Sequence, residues 1–107
     1  MTLDELEPEF YARLDDRTRQ QVATIAEAHG VDFLCPKCFE ANNGAMGTHH
    51  VFCWFSGRGV PDSETPGPGR WAVSGTSLAD LTLSPSVFLQ SGCCWHGWVR
   101  AGEVTSC

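Results

Sequence analysis

Cys35-Pro36-Lys37-Cys38 and Cys93-Cys94-Trp95-His96 place metal-ligating side chains in two short segments of the same spacing. A Cys-x-x-Cys turn sets two thiolates on one side of a loop whose backbone N–H groups also donate to sulfur. A second segment of that spacing supplies the other half of a tetrahedron. Cys35, Cys38, Cys93 and His96 therefore read as a complete Cys₃His set for one structural Zn²⁺ per chain, with no position left for a catalytic water. With 54 residues between Cys38 and Cys93, the metal would tie the entry of a β region to its last hairpin. Such a site contributes on the order of 10 kcal/mol to folding, comparable to the net stability of a small domain. Cys94 competes with Cys93 through a shorter Cys-x-His spacing, and the matched spacing favours Cys93.

Other uses of thiols fit less well. The chain has 107 residues and six Cys, which makes one domain with either a disulfide framework or a metal site. The acidic start MTLDELEPEF lacks the basic-then-apolar pattern of a secretory signal, so a reducing bacterial cytoplasm is the expected site of synthesis. A redox Cys-x-x-Cys would come with a βαβ pattern, and a Rieske cluster needs a Cys-x-His near the first pair; neither is present. No apolar run reaches the roughly 18 to 20 residues of a membrane span. The net charge of -6 is weighted to residues 1–30, which hold seven acids and three Arg. That balance excludes the basic stripe of an autonomous nucleic-acid binder.

The expected fold class is α+β: a helical N-terminal arm over residues 1–30, then a small antiparallel β domain over residues 31–107 stapled by one zinc. Leu3, Leu6, Phe10 and Leu14 recur at helical spacing, and Val22, Ile25 and Ala26 continue a second apolar stripe. Thr2 with Glu5 fits a capping box, Gly30 fits a C-cap, and Pro8 with Asp15-Asp16 divides the arm into two pieces. Beyond it, His50 to Phe55 has the composition of a buried strand. Ser56 to Gly69 is too rich in Gly and Pro for a helix or central strand. Arg70 to Ser74 reads as a short strand, Leu78 to Leu83 as a helical turn or an extended piece, and Ser84-Pro85-Ser86 as a break. Ala101-Gly102 reads as the turn of a closing hairpin.

His49, His50 and Cys53 form a weaker group, readable as a further metal site, a Cys–His pair or a plain strand boundary with Cys53 as a buried hydrophobe. Cys94 and Cys107 are candidate exposed thiols. Trp54, Trp71, Trp95 and Trp98 read as core rather than as a platform for bases.

The elements Cys35-Pro36-Lys37-Cys38, Ser84-Pro85-Ser86-Val87 and Gly92-Cys93-Cys94-Trp95-His96-Gly97-Trp98 through Gly102 resemble a family of small uncharacterised zinc-binding domains of phages and bacteria. The resemblance spans roughly Phe33 to Val104 and implies a β-rich zinc fold with Cys35, Cys38, Cys93 and His96 as ligands. The chain departs from it at Ser84, where the family often has His. A closed metal site without an identifiable catalytic set then points to a non-enzymatic structural or interaction protein. The first expectation is a phage virion component (minor capsid, neck or tail accessory) with protein partners in a larger assembly and no contact with nucleic acid or membrane. Two alternatives stand beside it: a regulatory adaptor binding a host protein, and a small zinc-dependent or Cys–His enzyme using His49 or His50 with Cys53.

Overall fold

A β-hairpin occupies the stretch expected to be a helical arm. The computed structural model describes residues 1–107, and in it strands β1 (Glu9–Arg13) and β2 (Arg19–Val22) pair antiparallel, Phe10 opposite Val22 and Arg13 opposite Arg19. The local chemistry explains the difference. Leu3–Leu6 forms only a 3-10 turn, which ends where Glu7 adopts a left-handed conformation (φ 51°) ahead of Pro8. Asp15 Oδ1 then accepts from the backbone N–H of Arg17 (2.8 Å) and of Thr18 (2.9 Å), closing a loop that diverts the backbone from helix. Leu14, which a helical stripe would bury, is 60% exposed.

The hairpin extends into a four-stranded antiparallel sheet of order β2-β1-β3-β4, with β3 at Gly30–Leu34 and β4 at His50–Trp54. Between β3 and β4 lies α1 (Pro36–Asn42), started by Pro36 at its first position and closed by Asn43 in the left-handed region (φ 54°). Ser56 to Gly69 contains no helix or strand and packs over the outer face of this sheet, where Trp54 Nε1 donates to the Thr65 carbonyl (3.0 Å) and Arg13 pairs with Glu64 (2.7 Å).

Strands β5 (Ala72–Ser74) and β6 (Thr82–Ser84) form a two-stranded sheet. Strands β7 (Val87–Phe88), β8 (His96–Arg100) and β9 (Glu103–Ser106) form a three-stranded antiparallel one. The chain ends are drawn together: Leu3 N–H donates to the Gly102 carbonyl and Val104 N–H to the Met1 carbonyl, both at 2.8 Å. Leu3, Leu6 and Phe10 consequently share one buried cluster with Phe33, Leu83, Val99 and Val104. The molecule is thus mostly antiparallel β, and the α+β arrangement with a helical arm over residues 1–30 does not form. No helix is long and apolar enough to cross a membrane.

Ala101 (φ 49°) and Gly102 (φ 78°) make the β8–β9 turn with two positive φ values, as primed hairpin turns require. A Cβ at Gly102 would also collide with the Ala79 carbonyl oxygen. Gly102→Ala is therefore expected to cost about 1–3 kcal/mol, lowering Tm by several degrees in a calorimetric or fluorescence melt.

Candidate active site and metal centre

The β3–β4 register brings the first half of the metal cluster together. Leu34 lies opposite His50, so the next residues outward, Cys35 and His49, also meet; Cys35 N–H donates to the His49 carbonyl at 2.9 Å. Cys38 follows in the first turn of α1. Cys93 arrives from the segment before β8, where its carbonyl accepts from Lys37 Nζ (2.6 Å). The ligand atoms of Cys35, Cys38, His49 and Cys93 all lie within 4.8 Å of one another. Cys35 Sγ is 3.5 Å from Cys93 Sγ, and His49 Nε2 is 3.2 Å from Cys93 Sγ.

The structure therefore gathers Cys35, Cys38 and Cys93 as expected, and places His49 beside them. His96 is elsewhere, on the outward face of β8. The remaining candidates have other partners: His50 Nδ1 meets Asp32 Oδ1 at 2.8 Å, and Cys53 is fully buried in β4. Neither histidine is paired with Cys53. All six cysteines are free, and Cys94 and Cys107 are exposed.

The cluster's protons follow from its surroundings. Burial pushes the Cys35 thiol up to about 11, and burial likewise raises Cys38. Burial is the largest single influence on Cys93 and also opposes its ionisation. Hydrogen bonds from His49, from the Trp95 backbone and from the other two thiols together outweigh it and bring Cys93 down to about 7. At neutral pH Cys35 and Cys38 thus hold their protons while Cys93 titrates, and a metal ion must displace what remains. Loading is expected to release about two to three protons per ion, and affinity to fall as pH is lowered. Calorimetry in buffers of different ionisation enthalpy counts those protons.

His96 takes part in a second constellation. Phe88 pairs with His96 across β7 and β8. Residues two apart on a strand share a face, so Ser86 emerges on the same side as Phe88 and lies diagonal to His96. Ser86 Oγ and His96 Nε2 are 3.0 Å apart. The His96 ring packs against Phe88, with centroids 5.0 Å apart. No carboxylate hydrogen-bonds its other nitrogen, so strand pairing and this aromatic contact hold its orientation. Trp71 Nε1 donates to the Ser86 carbonyl (3.2 Å) and anchors the backbone of the serine. Ser86 borders a cleft of about 470 Å³ between the Pro66–Arg70 loop and the residues after β7.

A serine hydroxyl within hydrogen-bond reach of an exposed imidazole, at the edge of a cleft, is a nucleophile–base arrangement. The comparison with known families agrees with it: residues 9–107 match the family described as bacterial ubiquitination-like system serine protease (BubE). The chain belongs to the BubE family. No curated protein and no solved structure matches it. Membership overturns the expectation of a non-enzymatic phage virion component, because BubE is a protease family of a bacterial system. That expectation arose from reading the four ligands as a closed metal site with no identifiable catalytic set beside it. Ser86 was read as part of a break and of the Ser84-Pro85-Ser86-Val87 element, with no catalytic role, although the β7–β8 pairing is what gives it a partner.

Proposed function

We propose that this BubE chain is a serine-type peptidase acting on proteins of a bacterial ubiquitination-like system, with Ser86 as nucleophile and His96 as general base. The 3.0 Å approach of Ser86 Oγ to His96 Nε2 carries the reading. In the first half-reaction His96 Nε2 takes the Ser86 hydroxyl proton as Oγ bonds to the substrate carbonyl carbon. His96 then returns that proton to the departing amine, which leaves an acyl ester on Ser86. In the second half-reaction water gives a proton to His96 and attacks the ester. The carboxylic acid product departs and Ser86 regains its proton. The family supplies the class of system, and a reducing bacterial cytoplasm suits six cysteines that form no disulfide, three of them placed to hold a metal.

We further assign the cluster of Cys35, Cys38, His49 and Cys93 to one structural Zn²⁺. Three thiols and an imidazole are a donor set that suits zinc, and a tetrahedron with Zn–S bonds of about 2.3 Å has S···S edges of about 3.8 Å. The 3.5 Å separation of Cys35 Sγ and Cys93 Sγ is close to that edge. Four protein donors complete the ion's coordination, so it holds the fold and the chemistry is left to Ser86 and His96.

Covalent labelling tests the nucleophile. A fluorophosphonate probe is expected to add once per chain, with the adduct mapped by mass spectrometry to Ser86 and absent from Ser86→Ala. Labelling at another residue, or none in the folded zinc-loaded protein, would contradict the assignment.

A further inference from the structure

We propose that the cleft beside Ser86 is a specificity subsite that takes an uncharged, apolar side chain flanking the bond to be cut, with Arg70 as the positioning residue that sets its wall. The inference rests on the peptidase reading of Ser86 and His96 and deepens it by naming the substrate class.

The lining carries the argument. Phe52, Trp71, Phe88, Leu89, Pro66 and Pro68 supply apolar surface, and Ser86 lies on the rim. Arg70 is the one charged residue of the lining, and its guanidinium is already engaged. Nη1 donates to the carbonyls of Pro66 (3.1 Å) and Gly69 (2.8 Å), and Nη2 to those of Pro61 (2.7 Å) and Glu64 (2.9 Å). All four Nη–H groups are therefore taken by neutral carbonyls and the unpartnered Nε is buried, so Arg70 has no N–H free to hold a substrate carboxylate at the cleft surface, and a charged side chain brought in would lose hydration with little recompense. An apolar side chain loses nothing of that kind and covers aromatic surface.

The wall is also held in one shape. Four carbonyls bound by one planar cation fix the Pro61–Arg70 loop far more closely than a lysine ammonium would. Gly69 lets this loop lie against the Trp71 ring, since a Cβ there would come within 2.8 Å of Trp71 Cη2. The same Trp71 anchors the Ser86 backbone, so the wall and the nucleophile share one support.

The test uses acetylated, amidated pentapeptides that differ only at the central residue: Leu, Gly, Asp or Lys. Binding to the zinc-loaded Ser86→Ala chain is followed by amide chemical shifts, and turnover by the wild-type chain is followed separately. The Leu peptide is expected to bind about tenfold or more tighter than the Asp and Lys peptides, with shifts at Trp71 and Leu89. Gln90 also lines the cleft and is exposed; Gln90→Glu should move the preference toward Lys. Arg70→Lys should raise KM for Leu-containing substrates with little change in kcat. Preference for a charged residue, or shifts confined to another surface, would overturn the subsite. Apolar binding in the cleft without Ser86-dependent turnover would uphold the subsite and overturn the catalytic reading instead.

Discussion

Replacing Ser86 by alanine is expected to lower kcat/KM by about 10³-fold or more while leaving the melting temperature close to that of the parent chain. Ser86 lies in the short connection between β6 and β7, and its hydroxyl hydrogen-bonds His96 alone. Its loss removes the nucleophile and no core contact. His96→Gln should fall to a similar level, because a serine hydroxyl without a neighbouring base is a weak nucleophile at neutral pH. The double variant should be no slower than either single one. Residues that act as a unit lose their whole effect once either member is gone, whereas independent contributions would multiply. Steady-state kinetics on the three variants distinguish these outcomes.

Removal of the metal should have the larger effect on the fold. Zinc binding by a Cys₃His site contributes on the order of 10 kcal/mol, against a net stability of about 5–15 kcal/mol for an ordinary domain. The cluster joins the end of β3, the first turn of α1, the start of β4 and the segment entering β8, so its loss frees four points of the chain together. Chelation, or Cys38→Ser, is expected to abolish the cooperative thermal transition and the activity with it. Activity should fall with it because Cys93, whose carbonyl accepts from Lys37 Nζ and whose thiolate the proposed zinc would hold, lies only three residues before His96. An unchanged melt after chelation, with the metal shown to be gone, would rule out the structural role.

Cys35, Cys38 and Cys93 were legible in the sequence because Cys-x-x-Cys spacing carries its own geometry. The strand at His50–Trp54 and the closing hairpin at Ala101-Gly102 were legible from composition and turn chemistry. His49 was legible only as one of a weaker group with His50 and Cys53, because its proximity to Cys35 depends on the register between β3 and β4, and a His-His pair has no spacing signal of its own. A hairpin argument would have found it: the residue before one paired strand meets the residue after the other. The N-terminal arm misled for a related reason. Leu3, Leu6 and Phe10 are all buried, which satisfies a helical stripe, but they reach the core from a 3-10 turn and a strand. Pro8 and the Asp15 turn were the competing signals, and they prevailed over periodicity. Ser86 was hardest to see, since serine is common in loops and the pairing of β7 with β8 is what brings an imidazole to it.

Two histidines are proposed to do different work, His49 at the metal and His96 in the chemistry. Native mass spectrometry and a peptidase assay on His49→Ala and His96→Ala test that division directly. His96→Ala should retain one zinc per chain and a native melt while losing activity, and His49→Ala should lose or weaken the zinc and destabilise the fold. Loss of zinc from His96→Ala, with zinc retained by His49→Ala, would contradict it.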